Sequence, residues 1–293
     1  MSYNAWKNGK YLPLEALSVS ILDFGLIHCD ATYDVLAIHD GWSPGFDQHI
    51  ERFRDSCEYW RLPFTLSDDE LLEIIRTVYQ ENDTSSAFIW LGVTRGIPDS
   101  GRPRDLTACH SNVFVYAKPY YGFNTENRAS VWVSDKVTRV SDRSINQVAK
   151  NFAWNDLTRA QFDAVEMGCD TAVLFSDEGF LTEGPGFNSA IVADGEVLAP
   201  KTNRLSGITM GIVEHLCHDH GIPFRWANID EPAMKSADEM FLTSTAGNII
   251  PVTKLLMPGF EKPFTMNRVV DSLAEKFDLA ILDDQYSRKI HPL

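Results

Sequence analysis

Short strand-like runs and helical stripes alternate along the chain, and one stretch with neither pattern divides them. Lys118 to Asn127 carries Pro119, Gly122 and two asparagines and has no apolar period, so it reads as a connection between two bodies. The sequence therefore predicts a small N-terminal domain over 1–120, an interdomain loop over 121–128 and a larger C-terminal domain over 129–293. At 293 residues and 44% apolar content, the chain can give each body its own core. Mixed elements of this kind predict an α+β, two-lobed fold.

Particular elements can be read from spacing. Phe46, Ile50, Phe53 and Cys57 recur at helical intervals, which predicts a helix from Phe46 to Trp60. Ser67 and Glu70 form a capping box ahead of Leu71, Leu72, Ile74, Ile75 and Val78, with Leu66 and Leu71 as its hydrophobic staple. Ser18 to Val35 reads as strand, Asp-Phe-Gly turn and a strand-like pocket wall. Strands are predicted at Ala87 to Val93 and Val113 to Ala117, around a loop from Gly96 to Pro103. In the second half, a strand at Ala129 to Val133 precedes a helix capped by Asn155 or Asp156 and ended by Gly168. Ser189 to Ala193 and Glu196 to Leu198 flank Asp194-Gly195, a hairpin signal, and Ile208, Ile212, Val213 and Leu216 form a last stripe closed by Gly221.

The net charge of −15 argues against binding nucleic-acid phosphates, which requires clustered Lys and Arg. No stretch approaches the roughly 20 apolar residues that span a bilayer, and Met1 to Lys7 lacks an apolar signal core, so a cytoplasmic location is expected. Five scattered cysteines without a C-x-x-C pair read as small buried hydrophobes.

Four places could carry chemistry. Lys150 stands between Val148-Ala149 and Phe152-Ala153-Trp154, where partial desolvation favours a nucleophilic amine; a lysine stem on an apolar surface is the ordinary alternative. Glu183, in Leu181-Thr-Glu-Gly-Pro-Gly-Phe-Asn188, is either an exposed turn carboxylate or a partner for a protonated ring nitrogen, with two glycines that let a backbone approach a ligand. Ser206-Gly-Ile-Thr209 opens a helix, as an anion site or a plain cap. Thr243-Ser-Thr-Ala-Gly247 is a second hydroxyl-bearing turn. His215, His218 and His220 fall at a helix end with no carboxylate at ligand spacing, so no metal is expected. Rossmann, Walker, G-x-S-x-G and H-E-x-x-H motifs are absent.

In order, these pieces resemble the fold-type IV aminotransferases: branched-chain and D-amino-acid aminotransferases, (R)-selective amine transaminases and aminodeoxychorismate lyase. Lys150, Trp154, Ala160, Ala164, Gly168 and Asp170 follow the family's lysine segment. Thr182-Glu183-Gly184 with Asn188, then Gly207-Ile208-Thr209, then Ala237-Asp238-Glu239 through Phe241, Thr243, Thr245, Ala246 and Gly247 keep its later motifs. His49-Ile-Glu-Arg52 matches its H-L-x-R helix. Within the family, His28 to Val35 and Asn151 to Thr158 look most like the (R)-amine transaminases. Trp90 departs from the Glu that many of those enzymes carry, and Met210 from the Arg common after G-I-T.

The resemblance implies a smaller N-terminal α/β lobe, a larger barrel-like C-terminal lobe and a homodimer. It implies pyridoxal 5′-phosphate, carried by Lys150 as a Schiff base, with Glu183 at the pyridinium nitrogen. Arg52, the N–H groups of Ile208 and Thr209, and the Thr209 and Thr245 hydroxyls are expected at its phosphate. His28, Tyr33, Val35, Trp90 and Trp154 are expected to line the substrate pocket, and Arg102, with Arg104 as runner-up, to bind the substrate carboxylate. The implied reaction moves an amino group between an amine or amino acid and a 2-oxo acid such as pyruvate, of (R)-amine or D-amino-acid type. Branched-chain L-amino-acid transfer and a lyase reaction are the alternatives.

Overall fold

The structure, a computed structural model, describes residues 4–81 and 84–290; residues 1–3, the start of the N-terminal segment read above, 82–83 and 291–293 lie outside them. The chain divides into two compact units, Met1–Tyr120 with Ala149–Ala153 and Ile281–Leu293, and Tyr121–Val148 with Trp154–Ala280. A single C-terminal domain from 129 to 293 that carries Lys150 is therefore not what forms. The lysine segment joins the first unit because its main chain is hydrogen-bonded by Thr32, Ser56 and Trp60. The C-terminal strand Ser287–Lys289 joins it by pairing with Trp42–Pro44.

The first unit is a seven-stranded sheet in the order Ser287–Lys289, Trp42–Pro44, Ala31–His39, Ser86–Pro98, Cys109–Pro119, Ala5–Lys7, Lys10–Leu12. All its pairings are antiparallel. One face carries Leu36, Ile38, Ile89, Leu91, Val93 and Val115, and these pack with Ile50 and Phe53 of the Phe46–Tyr59 helix and Leu71, Ile75 and Val78 of the Asp68–Gln80 helix. Strand alternation sends Tyr33, Val35, Trp90 and Tyr116 to the opposite face, with Val35 paired to Trp90 and Trp90 to Tyr116. The capping box forms as read: Ser67 N–H donates to Glu70 Oε2 at 2.8 Å, and Glu70 N–H to Ser67 Oγ at 3.3 Å.

This unit differs from the expectation in two places. Residues 18–22 form no strand, and Ile21 and Leu22 are exposed. The next residue, Asp23, is instead fully buried; it caps the short Phe24–Ile27 helix at Gly25 N and accepts from Thr94 Oγ1, Asn112 Nδ2 and Gly96 N. The chain is thereby held in a turn. The stretch after Gly96 begins as strand, because Ser86–Pro98 continues through an irregularity between Thr94 and Ile97 and pairs as far as Pro98 with Cys109.

The second unit holds a mixed sheet in the order Phe224–Ala227, Glu196–Pro200, Phe187–Ala193, Glu239–Ser244, Asn248–Met257, Ala129–Val133, Thr171–Val173. Phe260–Pro263 pairs with Asn248–Met257, and Glu183–Gly184 with Phe187–Ala193. Asp194 and Gly195, at φ 51° and 78°, make the predicted hairpin turn. Leu157, Ala160 and Ala164 of the Asn155–Glu166 helix pack on Trp132, Ala172 and Leu174. That helix starts differently from the reading. Its N-cap is Trp154 without a side-chain cap, and the Asp156 carboxylate, in the first turn, is taken by Arg139 Nη1 at 2.6 Å and Val140 N–H at 2.8 Å.

Ser67→Ala removes the acceptor of a complete capping box and is expected to lower unfolding free energy by about 1 kcal/mol. Urea denaturation checks this; a midpoint equal to the wild type's would show that the cap contributes nothing.

Candidate active-site residues

In the first unit the candidate residues gather on the strand Ala31–His39 and the helix Phe46–Tyr59. Asp34 is fully buried in the middle of that strand, and burial alone would raise its carboxyl. Arg52 and His49 outweigh burial and hold it well below the usual carboxylate range. Arg52 donates from Nε to Oδ2 and from Nη2 to Oδ1, both at 2.8 Å, a bidentate fork, and His49 Nδ1 lies 2.7 Å from Oδ1. The imidazole is pushed down by burial, against the upward pull of Asp34, so it stays neutral and donates from Nδ1. Asp34 thus orients Arg52.

Lys150 lies beside this cluster on irregular backbone. Its Nζ sits 4.5 Å from the centroid of the Tyr33 ring, a cation–π contact. Tyr33 in turn stacks on Trp90 at 5.1 Å and 11°, and meets the edge of Phe152 at 4.9 Å. Trp90 stacks further on Tyr116 at 5.8 Å and 8°. Lys150, Tyr33, Trp90 and Val35 are therefore brought together. His28 and Arg102 make their contacts elsewhere in the unit. The His28 ring is exposed and lies 4.3 Å from the Phe24 ring. Arg102 is 59% exposed and forks between Asp99 Oδ2 at 3.0 Å and Asp105 Oδ2 at 3.2 Å.

In the second unit, Glu183 is a buried ion-pair carboxylate, which rules out the exposed-turn reading. Oε1 accepts from Arg139 Nε at 2.9 Å; Oε2 accepts from Leu205 N–H at 2.9 Å and Asn188 Nδ2 at 3.3 Å. Arg139 also holds Asp156 and Gln147, and although burial works against its charge, Glu183 and Asp156 raise its guanidinium above the ordinary value. The glycines near Glu183 answer to the protein's own packing. A Cβ on Gly184 would lie 2.2 Å from the Ala172 carbonyl oxygen.

The Ile208–Asp219 helix begins against the same group. Its N-cap is Gly207, with no side-chain cap, so neither Ser206 nor Thr209 performs the capping role that the letters allowed. A Cβ on Gly207 would lie 1.8 Å from Asn188 Oδ1, so glycine is needed for this approach. Asn188 Nδ2 also donates to Leu205 O at 3.0 Å. One asparagine therefore ties Glu183 to the N-terminal end of this helix, where Ile208 and buried Thr209 stand. Across the sheet Asn188 pairs with Thr243, whose buried Oγ1 has no protein partner among the described residues. Thr245 follows in a turn fastened by Ser244 Oγ to Gly186 O and by Asn127 Nδ2 to Gly247 O and Ile249 O. Trp154 lies at the start of the Asn155–Glu166 helix, its ring 3.3 Å from the Cβ position of Gly186.

These residues fit a phosphorylated pyridine. An ionised, buried carboxylate has the chemistry to accept from a protonated ring nitrogen. A helix start without a side-chain cap and a partnerless buried hydroxyl offer donors to a phosphate. Sequence reasoning missed Asp34, Ser56 and Arg139, and had Asn188 only as a motif residue without a stated role. Asp34 had a signal: a lone carboxylate inside Ala31-Thr-Tyr-Asp-Val-Leu-Ala-Ile38 demands a buried cation. Arg139 had none, since it lies in a polar segment without period.

The sequence profile of amino-transferase class IV matches residues 31–255. A putative branched-chain-amino-acid aminotransferase of Methanocaldococcus jannaschii is 29% identical over 85% of this chain and 86% of its own. A D-alanine aminotransferase of Staphylococcus epidermidis is 26% identical over 85% and 87%. In fold, the chain is similar to the branched-chain amino acid aminotransferase of Escherichia coli, with a TM-score of 0.91 at 22% identity over 99% and 100% of the two chains. It is similar also to that of Thermobaculum terrenum in its PLP-form, with a TM-score of 0.87 at 19% identity over 99% of each. The chain belongs to the class IV aminotransferases, fold-type IV enzymes that work with pyridoxal 5′-phosphate.

Proposed function

We infer that this aminotransferase moves an amino group between a D-amino acid or (R)-amine and a 2-oxo acid such as pyruvate, with Lys150 as the residue that carries the cofactor. The observation that supports the lysine is its setting: Nζ held at the Tyr33 ring, beside the Asp34, His49 and Arg52 cluster. The bound cofactor supplies an electron sink for the pair left at the substrate carbon when its proton departs. Lys150 Nζ takes that proton and returns it, a general base and then a general acid held at one point.

Glu183 would accept a hydrogen bond from the protonated ring nitrogen, and the bonds it accepts from Arg139, Asn188 and Leu205 keep it aimed. Arg52 would donate to the phosphate, with its guanidinium plane fixed by Asp34. The Ile208 and Thr209 N–H groups and the Thr209 and Thr245 hydroxyls would complete the phosphate contacts. Val35, Tyr33 and Trp90 form one wall for the substrate, and His28 and Trp154 contact it too. The enzyme works as a homodimer, a reading supported by the exposed Ile21, Leu22, Leu26 and Ile27.

For the donor class, the residues from His28 to Val35 and the D-alanine aminotransferase relatives support the D or (R) hand. The Methanocaldococcus relative, named a putative branched-chain enzyme, favours L-branched-chain transfer as the second reading. Arg102 is the candidate carboxylate contact. Its present partners, Asp99 and Asp105, are partly exposed to solvent, so exchanging them for a substrate carboxylate costs little.

A donor panel of D-alanine, (R)-1-phenylethylamine and L-leucine with pyruvate or 2-oxoglutarate tests the class; turnover with L-leucine alone would give the site to the second reading. Arg102→Ala is expected to raise KM about tenfold for D-alanine and pyruvate and to leave a carboxylate-free amine unchanged, since a charge-assisted fork is worth about 1.4 kcal/mol or more. An equal change for both substrate types would remove Arg102 from carboxylate recognition. Glu183→Gln is expected to retain cofactor and lose about 100-fold or more in kcat, because an amide cannot hold the ring proton. An unchanged kcat with weaker cofactor binding would contradict the electron-sink role.

A further inference from the structure

Lys150 belongs to no helix or strand, yet both its main-chain polar groups are satisfied by side chains. Its N–H donates to Ser56 Oγ at 3.0 Å. Its carbonyl accepts from Thr32 Oγ1 at 2.6 Å and Trp60 Nε1 at 3.2 Å. Ser56 itself donates to the carbonyl of Arg52, one helical turn back, at 2.7 Å. That bond uses the only hydroxyl proton and leaves the oxygen lone pairs for the lysine N–H. Ser56 is 1% exposed and Thr32 0%, so water does not replace either partner.

We propose that Ser56 is a positioning residue that couples Arg52 to Lys150, setting where the lysine Nζ stands through a hydroxyl that spans the helix and the lysine segment. The proposal rests on the reading that Lys150 carries the cofactor. An irregular segment has no ladder to fix its register, so the place of its Cα depends on such side-chain anchors. Ser56 is the one that reaches the N–H, and its helix also carries Arg52. A shift of the segment by about 1 Å moves a reacting amine enough to cost on the order of 100-fold. Nζ would also move relative to the Tyr33 ring, which changes the balance between its charged and neutral forms.

The test compares Ser56→Ala, which removes the acceptor, with Ser56→Thr, which keeps the hydroxyl and its bond to Arg52 O. Each holoenzyme is measured for cofactor content, kcat, KM for the amino donor, and the pH midpoint of the cofactor absorbance. The expected result for Ser56→Ala is bound cofactor, kcat lower by about 10- to 100-fold, KM within about twofold and a displaced pH midpoint. Ser56→Thr should recover most of both effects. Where the alanine variant does not fold, Ser56→Cys, of similar size and a weaker acceptor, carries the same readouts. Wild-type kcat and midpoint in the alanine or cysteine variant would overturn the proposal. Equal loss of cofactor and thermal stability in Ser56→Ala and Ser56→Thr would also overturn it, by showing a purely structural role. Failure of the underlying reading is separate: it would appear as a wild-type protein without a cofactor band, or as Lys150→Ala that still turns over.

Discussion

A carboxylate taken out of water must be matched by a cation and by hydrogen bonds, and Glu183 meets that demand in a way that orders the second unit around it. Arg139 is drawn into the interior to pair with it, and Arg139 in turn fixes Asp156 at the start of the Asn155–Glu166 helix. The other oxygen draws in Leu205 N–H and Asn188, and through them the start of the Ile208–Asp219 helix. Removing the carboxylate would leave a buried guanidinium short of a partner. Asp34 plays the same part in the first unit, where its oxygens gather His49 and Arg52 from one face of a helix. In each unit a buried acid places the groups proposed to hold the cofactor.

Local signals were the most legible part of this chain. The Ser67–Glu70 box, the Phe46 helix and the Asp194-Gly195 hairpin depend on residues close in sequence, and each forms as expected. Elements that depend on distant partners are less legible. Ile21 and Leu22 have strand composition, but their conformation is decided by Asp23, whose partners lie about 70 to 90 residues away. Asp156 looked like a cap and is instead claimed by Arg139. The placement of Lys150 with the first unit rests on Thr32, Ser56 and Trp60, none of which is marked by period or motif.

The motif glycines show a related limit. In sequence, Gly184 and Gly186 suggest room for a ligand; in the structure a Cβ on Gly184 would meet Ala172 O and one on Gly186 the Trp154 ring, while Gly207, in the helix opening, makes room for Asn188 Oδ1. Their chemistry is indirect, since the close approach at Gly207 brings Asn188 to both the Glu183 carboxylate and the helix start. Trp90, the departure from the (R)-amine transaminase pattern, also acquires a physical role. It is the middle ring of a Tyr33, Trp90 and Tyr116 stack, and so supports the ring that faces Lys150 Nζ.

The proposed chemistry requires that one lysine, Lys150, bear the cofactor. It is tested most directly by reducing the holoenzyme with borohydride, digesting it, and locating the phosphopyridoxyl mass by tandem mass spectrometry. A single labelled peptide with the added mass on Lys150 is expected. A label on any other lysine, or a cofactor that washes away after reduction, would contradict it.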